Sequence, residues 1–85
     1  MTPRDYQREI KSFICRELLW GEPEDLLPND AKLISDDILD SLAFMQLVNF
    51  LEESFNITIK LQEMNADHLD SIDQIVDTVL SKVPA

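Results

Sequence analysis

The residues with the clearest chemical potential are Ser41 and the acidic side chains before it, in the stretch DDILDSLAFMQLVNFLEESF. Asp36, Asp37 and Asp40 precede the serine, and an amphipathic helix pattern begins directly after it. Such a serine can cap a helix, act as a nucleophile, or receive a phosphate-linked group. The last role suits a helix N-terminus, because its free N–H groups and dipole favour an added anion.

A nucleophilic role for Ser41 needs a neighbouring base and a third group that orients that base. The only histidine, His68, is far away in the sequence, and no G-x-S-x-G motif is present. A small hydrolase using Ser41 and His68 is therefore the poorest of the three interpretations. As a helix cap, Ser41 would be helped by Asp40, whose charge favours the positive end of the helix dipole.

Composition excludes several classes of function. The chain has 85 residues and a formal net charge of −10, which predicts a single domain with a thin core and argues against binding nucleic acid. The acidity instead favours partners with basic surfaces. One cysteine excludes an internal disulfide, and no long apolar run or signal peptide is evident. We expect a soluble, cytoplasmic monomer.

The surrounding pattern predicts helices that would position Ser41. The first should begin near Pro3, capped by Thr2, and stop at Gly21 and Pro23. The connection over residues 21–40 is long for a small domain, which is typical of a functional loop. The side chains expected to pin that loop to the core are Leu26, Leu27, Leu33, Ile34, Ile38 and Leu39.

The second helix is predicted over Ser41–Phe55, with two apolar faces. The larger face, expected in the core, contains Phe44, Leu47, Val48, Leu51 and Phe55. The other face is expected to point outward, although a solvated face does not need apolar residues. It contains Leu42, Met45 and Asn49, flanked by Gln46, Glu52 and Glu53.

The rest of the chain predicts an extended FNITI segment, a short helical turn at Gln62–Asp67 and a last helix from Ser71. Ser71 and Gln74 fit a capping box. The fold class is therefore all-α, a small bundle of three to four helices with a long loop between helices one and two.

The tripeptide Asp40-Ser41-Leu42, at the start of an amphipathic second helix after a long loop, resembles the D-S-L motif of the acyl carrier and peptidyl carrier protein family. The similarity extends over nearly the whole chain, because LEESF and FNITI also occur in family order. The resemblance implies that a phosphopantetheinyl transferase attaches 4′-phosphopantetheine from coenzyme A to Ser41. Asp40 would help the transferase to place its metal-bound coenzyme A.

The resemblance also implies the partners. The arm would hold an acyl or aminoacyl thioester, which an activating ligase loads and downstream synthases or transferases with basic patches use. Their contacts would be Leu42, Met45 and Asn49, with Glu52 and Glu53 as the charged rim. For both glutamates a purely solvated role is an equal alternative. The protein would catalyse nothing alone.

Departures from the fatty-acid-synthesis pattern favour a free-standing carrier in a specialised pathway. Acidic residues often follow the serine in those carriers, whereas Ala43, Phe44 and Gln46 stand here. The run ISDDILDS is more similar to D-G-I-L-D-S, with Asp37 in place of the glycine. The alternative is an acidic helical interaction module without a prosthetic group, in which Ser41 is only a cap.

The remaining candidates are assigned structural roles. Cys15 is expected to be a packed or surface thiol, and His68 a structural or exposed side chain. The aspartates before Ser41 lack the spacing of an EF-hand, so no metal site is expected. Trp20 is predicted to be a partly buried core aromatic, with cargo binding as the alternative. A solvated acidic face is predicted for Asp70, Asp73 and Asp77.

Overall fold

The computed structural model describes residues 2–83, which form a small helical bundle without a strand in that range. None of the helices described is long and apolar enough to cross a membrane. The predicted all-α bundle with a long loop after its first helix is confirmed. Its helices are α1 (Pro3–Phe13), α2 (Ser41–Phe55), α3 (Ala66–Leu69) and α4 (Ile72–Leu80). A π-helical turn follows α1 at Ile14–Leu18, and 3₁₀ turns lie at Glu24–Leu26 and Leu61–Glu63.

Helix α1 begins where the sequence predicts, because Thr2 and Asp5 satisfy each other's backbone groups. The Asp5 N–H donates to the Thr2 hydroxyl at 3.3 Å, and the Thr2 N–H donates to the Asp5 carboxylate at 2.9 Å. The hydrogen bonds from the Thr2 backbone and hydroxyl hold the pKa of Asp5 below its usual value. Pro3 follows at the first helical position, where its missing N–H leaves no bond unmade.

The core is built from the apolar stripes of α1, α2 and α4. Ile10, Leu47 and Ile75, one from each helix, are completely buried, and α1 packs directly against α4. Aromatic packing joins α1 to α2, because the rings of Phe13 and Phe50 stack with centroids 4.0 Å apart. The other completely buried side chains are Ile14, Cys15, Leu33, Leu51, Leu69, Ile72 and Val79.

The long connection is anchored to this core by separated leucines. The prediction that Leu26 anchors the loop to the core is wrong, since its side chain is 65% exposed. The side chain of the adjacent Leu27 is buried. Both belong to the end of one short 3₁₀ turn, where adjacent side chains point to different sides. The confirmed anchors are Leu27, Leu33 and Leu39, with Ile34 and Ile38 partly buried against the core.

Asp70 fixes the middle of the same connection. Its Oδ1 accepts hydrogen bonds from the N–H groups of Ile34 at 2.8 Å and Ser35 at 2.9 Å, and its Oδ2 accepts one from the Ser35 hydroxyl at 2.6 Å. The prediction that Asp70 belongs to a solvated face was wrong, because it is only 8% exposed. Burial alone would raise the pKa of Asp70, but the hydrogen bonds from Ser35 and Ile34 outweigh it and hold the pKa below its usual value.

The start of α4 is capped by Ser71, as predicted. The Ser71 hydroxyl accepts a hydrogen bond from the Gln74 N–H at 3.1 Å. The Gln74 side chain reaches back one residue further than in a capping box, because its Oε1 accepts from the Asp70 N–H at 2.9 Å. Asp73 and Asp77 on the outer side of α4 are exposed, which confirms the solvated face for these two aspartates.

The chain between α2 and α4 first crosses back without helical structure, as FNITI predicts. Asn56 ends α2 in the left-handed conformation, with φ 55°, and Ile59 is buried. The helical turn predicted at Gln62–Asp67 is present as the second 3₁₀ turn and α3, which are interrupted at Met64 and Asn65.

Trp20 is not a core residue, which corrects the prediction of a partly buried aromatic. Its side chain is 98% exposed. The π-helical turn brings the Leu19 N–H onto the Ile14 carbonyl at 2.9 Å, and the Gly21 N–H then donates to the Cys15 carbonyl at 2.8 Å. Between these bonds the backbone at Trp20 turns left-handed, with φ 59°, and this reversal directs the indole away from the bundle.

Candidate functional site

Ser41 is the first residue of α2, and it does not cap the helix. Asp40 is the N-cap, because its Oδ1 accepts a hydrogen bond from the Ala43 N–H at 2.8 Å. The interpretation of Ser41 as a cap was therefore wrong: the aspartate before it has the extended backbone, with ψ −178°, that a cap requires. Ser41 is exposed, and its hydroxyl makes no hydrogen bond among residues 2–83.

The helix start leaves donors free for an anion at Ser41. The first N–H groups of an α-helix have no partner within the helix, and Asp40 satisfies only that of Ala43. These donors and the helix dipole favour a negative group on the first residue. The charge of Asp40 opposes such a group, so an incoming phosphate would need cations from a partner.

Two clefts flank this helix start. The Ser41 cleft has a volume of about 380 Å³ and is lined by Ile34, Leu39, Phe44, Met64 and Asn65, together with Asp37, Asp40 and Ser41. The Trp20 cleft has a volume of about 290 Å³ and is lined by Glu17, Leu18, Trp20, Leu42, Ala43 and Gln46, again with Asp40. Asp40 lines both clefts, while Ser41 lines the first and its other neighbour Leu42 lines the second.

The outward face of α2 is apolar near Ser41. Leu42 is 69% exposed and Met45 is 47% exposed, as the pattern predicts, whereas Leu47 and Val48 are buried. Asn49 and Glu53 are also exposed. The structure therefore puts the predicted contact residues on one accessible side of the helix that begins at Ser41.

Glu52 differs from the other predicted contact residues because it also serves the fold. Its Oε2 accepts a hydrogen bond from the Ile59 N–H at 3.0 Å, and its side chain is partly buried. This bond holds the segment after α2 against the end of the helix. Glu53, which has no such bond among the described residues, is the more accessible charge.

The other chemically capable side chains do not converge on Ser41. His68 lines a different cleft, with Glu63 and Asp77, and its Nδ1 lies 3.1 Å from the Asn65 Oδ1. No hydrogen bond joins His68 to Ser41 in the described part of the chain. Within residues 2–83, no three His, Cys, Asp or Glu side chains are placed to share a metal ion.

The thiol of Cys15 is not placed to act as a nucleophile. It is completely buried in the π-helical turn. Burial raises its pKa, and the charges of Glu24 and Glu22 raise it further. A thiol held in its protonated form is a poor nucleophile.

The sequence interpretation missed Met64 and Trp20 as neighbours of the site. Met64 is distant in sequence and lines the Ser41 cleft, so periodicity within α2 could not identify it. For Trp20 a signal existed, because it directly precedes the glycine that ends the first helix. The chain commonly turns left-handed at such a glycine, so the residues beside it can leave the helix face.

No protein-family model matches this chain. An acyl carrier protein of Buchnera aphidicola is 33% identical over 76 residues, which cover 89% of this chain and 92% of that protein. A D-alanyl carrier protein of Lactobacillus delbrueckii is 33% identical over 76 residues, covering 88% of this chain and 90% of that protein. An acyl carrier protein of Guillardia theta is 29% identical over 85 residues and the full length of both chains.

Proposed function

Because this chain belongs to the acyl carrier protein family, we propose that it carries an acyl or aminoacyl group as a thioester on 4′-phosphopantetheine attached to Ser41. The protein is a carrier and not an enzyme. We propose that residues 1–85 form one carrier domain, that it acts as a monomer, and that the thioester is formed on the thiol that the arm supplies. The cytoplasm is its proposed location.

The observation that carries the proposal is the free hydroxyl of Ser41 at the start of α2. Asp40 makes the capping bond, so Ser41 is exposed and available without a structural task of its own. The interaction-module alternative assigned Ser41 the capping task, and the structure removes that reason for its presence. Attachment to Ser41 also fits the free N–H groups beside it, which favour a phosphate.

The proposed attachment is a phosphoryl transfer supplied by a partner. The Ser41 Oγ would form a bond to the phosphorus next to the pantetheine, and the phosphorus–oxygen bond to the second phosphate of coenzyme A would break. Adenosine 3′,5′-bisphosphate would leave, and the hydroxyl proton would pass to a base of the transferase. This chain contributes the nucleophile, and Asp40 would attract the cations that balance the phosphates.

One part of the lining of the Ser41 cleft is apolar and suits an attached arm, while two aspartates and Ser41 itself form a polar part. Ile34, Leu39, Phe44 and Met64 line it, and Asn65 adds an amide. An amide-containing chain could lie along such walls with its polar groups at the rim. We propose that these residues hold the arm when no partner engages it.

We propose that partner enzymes contact the outward face of α2. Leu42, Met45 and Asn49 would supply contact area, and Glu53 would attract basic side chains, with Glu52 as a second, partly engaged charge. The partners would be the phosphopantetheinyl transferase, an acyl- or aminoacyl-activating ligase, and downstream synthases or transferases.

We propose a specialised pathway rather than housekeeping fatty-acid synthesis. The first turn of α2 lacks acidic residues after Ser41, because Ala43, Phe44 and Gln46 stand there. The D-alanyl carrier among the relatives supports an amino acid as one cargo class. Loading assays should therefore compare D-alanine with short and long fatty acids.

The test is intact mass before and after incubation with coenzyme A and a broad-specificity phosphopantetheinyl transferase. Wild type should gain one phosphopantetheine and Ser41→Ala none. Ser54→Ala is the matched control, because Ser54 is an exposed serine in the last turn of the same helix. No gain in the wild type, or a gain in Ser41→Ala, would contradict the proposal.

A further inference from the structure

We infer that Trp20 is a docking residue for the transferase that acts on Ser41, and that the Trp20 cleft receives an apolar side chain of that enzyme surrounded by lysine or arginine. This inference rests on the proposed function and adds a contact at the end of the first helical segment. The apolar lining of the cleft comes from Leu18 and Trp20 at the end of the first helical segment and from Leu42 and Ala43 in the first turn of α2.

The exposure of Trp20 gives the first argument. An indole that is 98% exposed contributes almost no buried area to this fold, although tryptophan has one of the largest apolar surfaces of any side chain. Leu42, which also lines the cleft, is 69% exposed. Aromatic side chains of this kind are enriched among the residues that dominate binding energy at protein interfaces.

The backbone at Trp20 gives the second argument. Its φ of 59° is left-handed, a conformation that bulky L-residues rarely adopt and that glycine adopts freely. The next residue is Gly21, with φ 82°. The chain thus keeps a large aromatic where a smaller residue would suit the fold better, which points to a role outside the fold.

The negative charge around the Trp20 cleft indicates which kind of partner would bind there. Glu17 and Asp40, both exposed, border the cleft, and the chain as a whole carries −10. A second copy would bring like charges together, and an anionic lipid surface would be repelled. A partner with an apolar side chain inside a ring of basic groups is complementary in both shape and sign.

The position of the cleft selects the transferase among the carrier's partners. Asp40 and Leu42, the residues on either side of Ser41, both line it. An enzyme that acts on the far end of the arm can work at a distance from these walls. The transferase must bring phosphorus to the Ser41 Oγ itself, so it has to cover the residues that flank the serine.

The decisive measurement is the kcat/KM of phosphopantetheine transfer to Trp20→Ala, Trp20→Phe and wild type. Leu61→Ala is the matched control, because Leu61 is an 82% exposed apolar residue that lines neither cleft beside Ser41. We expect Trp20→Ala to lose roughly tenfold or more, mainly through KM, as for a hot-spot residue. Trp20→Phe should recover most of the loss, and Leu61→Ala should match the wild type.

Equal kcat/KM for Trp20→Ala and wild type would overturn the inference and leave the proposed function intact, whereas a wild type that is not loaded at all would remove both. A ¹⁹F NMR measurement needs no substitution. Wild-type protein labelled with 5-fluorotryptophan gives one ¹⁹F signal, because the chain has one tryptophan. The signal should shift or broaden when unlabelled transferase is added. A signal that stays unchanged at saturating transferase would overturn the inference, as would a dimer in sedimentation that Trp20→Ala abolishes.

Discussion

Substituting Asp40 and Ser41 one at a time should separate the stability of α2 from the chemistry of attachment. Asp40→Ala removes the oxygen that accepts from the Ala43 N–H at 2.8 Å. Loss of such a cap costs about 1 kcal/mol of unfolding free energy. For a domain of this size, about 1 kcal/mol corresponds to a fall in Tm of roughly 4–8 °C.

Ser41→Ala should behave in the opposite way. Ser41 is exposed and its side chain satisfies no backbone group in the described chain, while alanine is the best helix former. The unfolding free energy should therefore stay within about 0.5 kcal/mol of the wild type. Phosphopantetheine attachment should nevertheless be lost completely, because the accepting hydroxyl is gone.

Asp40→Asn is the control that separates charge from capping. Asparagine caps a helix about as well as aspartate, so its oxygen can keep the bond to Ala43. We expect the Tm of this variant to stay near that of the wild type. The transfer rate should fall, because the carboxylate charge that would attract the cations around coenzyme A is missing.

Urea unfolding followed by far-UV circular dichroism, together with intact mass after transferase treatment, would measure both quantities on the same proteins. If Ser41→Ala were destabilised as much as we expect for Asp40→Ala, and Asp40→Ala were neutral, the serine would be the true cap. The assignment of Ser41 as a residue free of structural duty would then be refuted.

Three further predictions concern the core, the outward face and the loop. The folded-state pKa of Asp70 is depressed, so its carboxylate stabilises the fold above the ordinary pKa of an aspartate and loses this effect as pH falls through the lower folded-state pKa. The stability difference between wild type and Asp70→Asn, measured by urea unfolding, should shrink over that fall, and a difference independent of pH would contradict the carboxylate's role. Met45→Glu should slow transferase loading while leaving helix content unchanged, and a loss of helicity in this variant would place Met45 in the core. Leu47→Ala, at a completely buried position, should instead lower the unfolding free energy by about 2–5 kcal/mol. Alkylation of Cys15 should be slow in the folded unmodified protein, since the thiol is buried with a raised pKa, and attachment of the arm should add one fast-reacting thiol; fast alkylation without the arm would contradict the burial.

The helices could be predicted because their signals are local. Thr2 and Ser71 act as caps where the sequence indicates, and α2 runs over Ser41–Phe55 as predicted. Local signals cannot identify the cap where two good capping residues are adjacent. Asp40 and Ser41 are both good caps, and only the folded backbone shows which of them is extended.

Features that depend on distant parts of the chain could not be predicted in the same way. Asp70 binds Ile34 and Ser35, which are separated from it by 36 and 35 positions, so nothing in its own helix pattern distinguishes it from Asp73. Trp20 was assigned to the core on residue type alone. Its exposure follows from a change in helix geometry that the apolar periodicity of the first helix does not reveal.

The π-helical turn at Ile14–Leu18 also determines the rotational position of the residues that follow it. An α-helix advances about 100° per residue, and a π-helical turn accommodates one residue more than an α-helical turn does. Deleting a single residue within Ile14–Leu18 would restore α-helical bonding there and leave the later residues in register. A deletion within Pro3–Phe13, which has no such wide turn, would instead rotate every later residue of the segment by about 100° about the helix axis. That second deletion would move Trp20 away from Leu42, so the position of Trp20 beside α2 is encoded by chain length as much as by residue type.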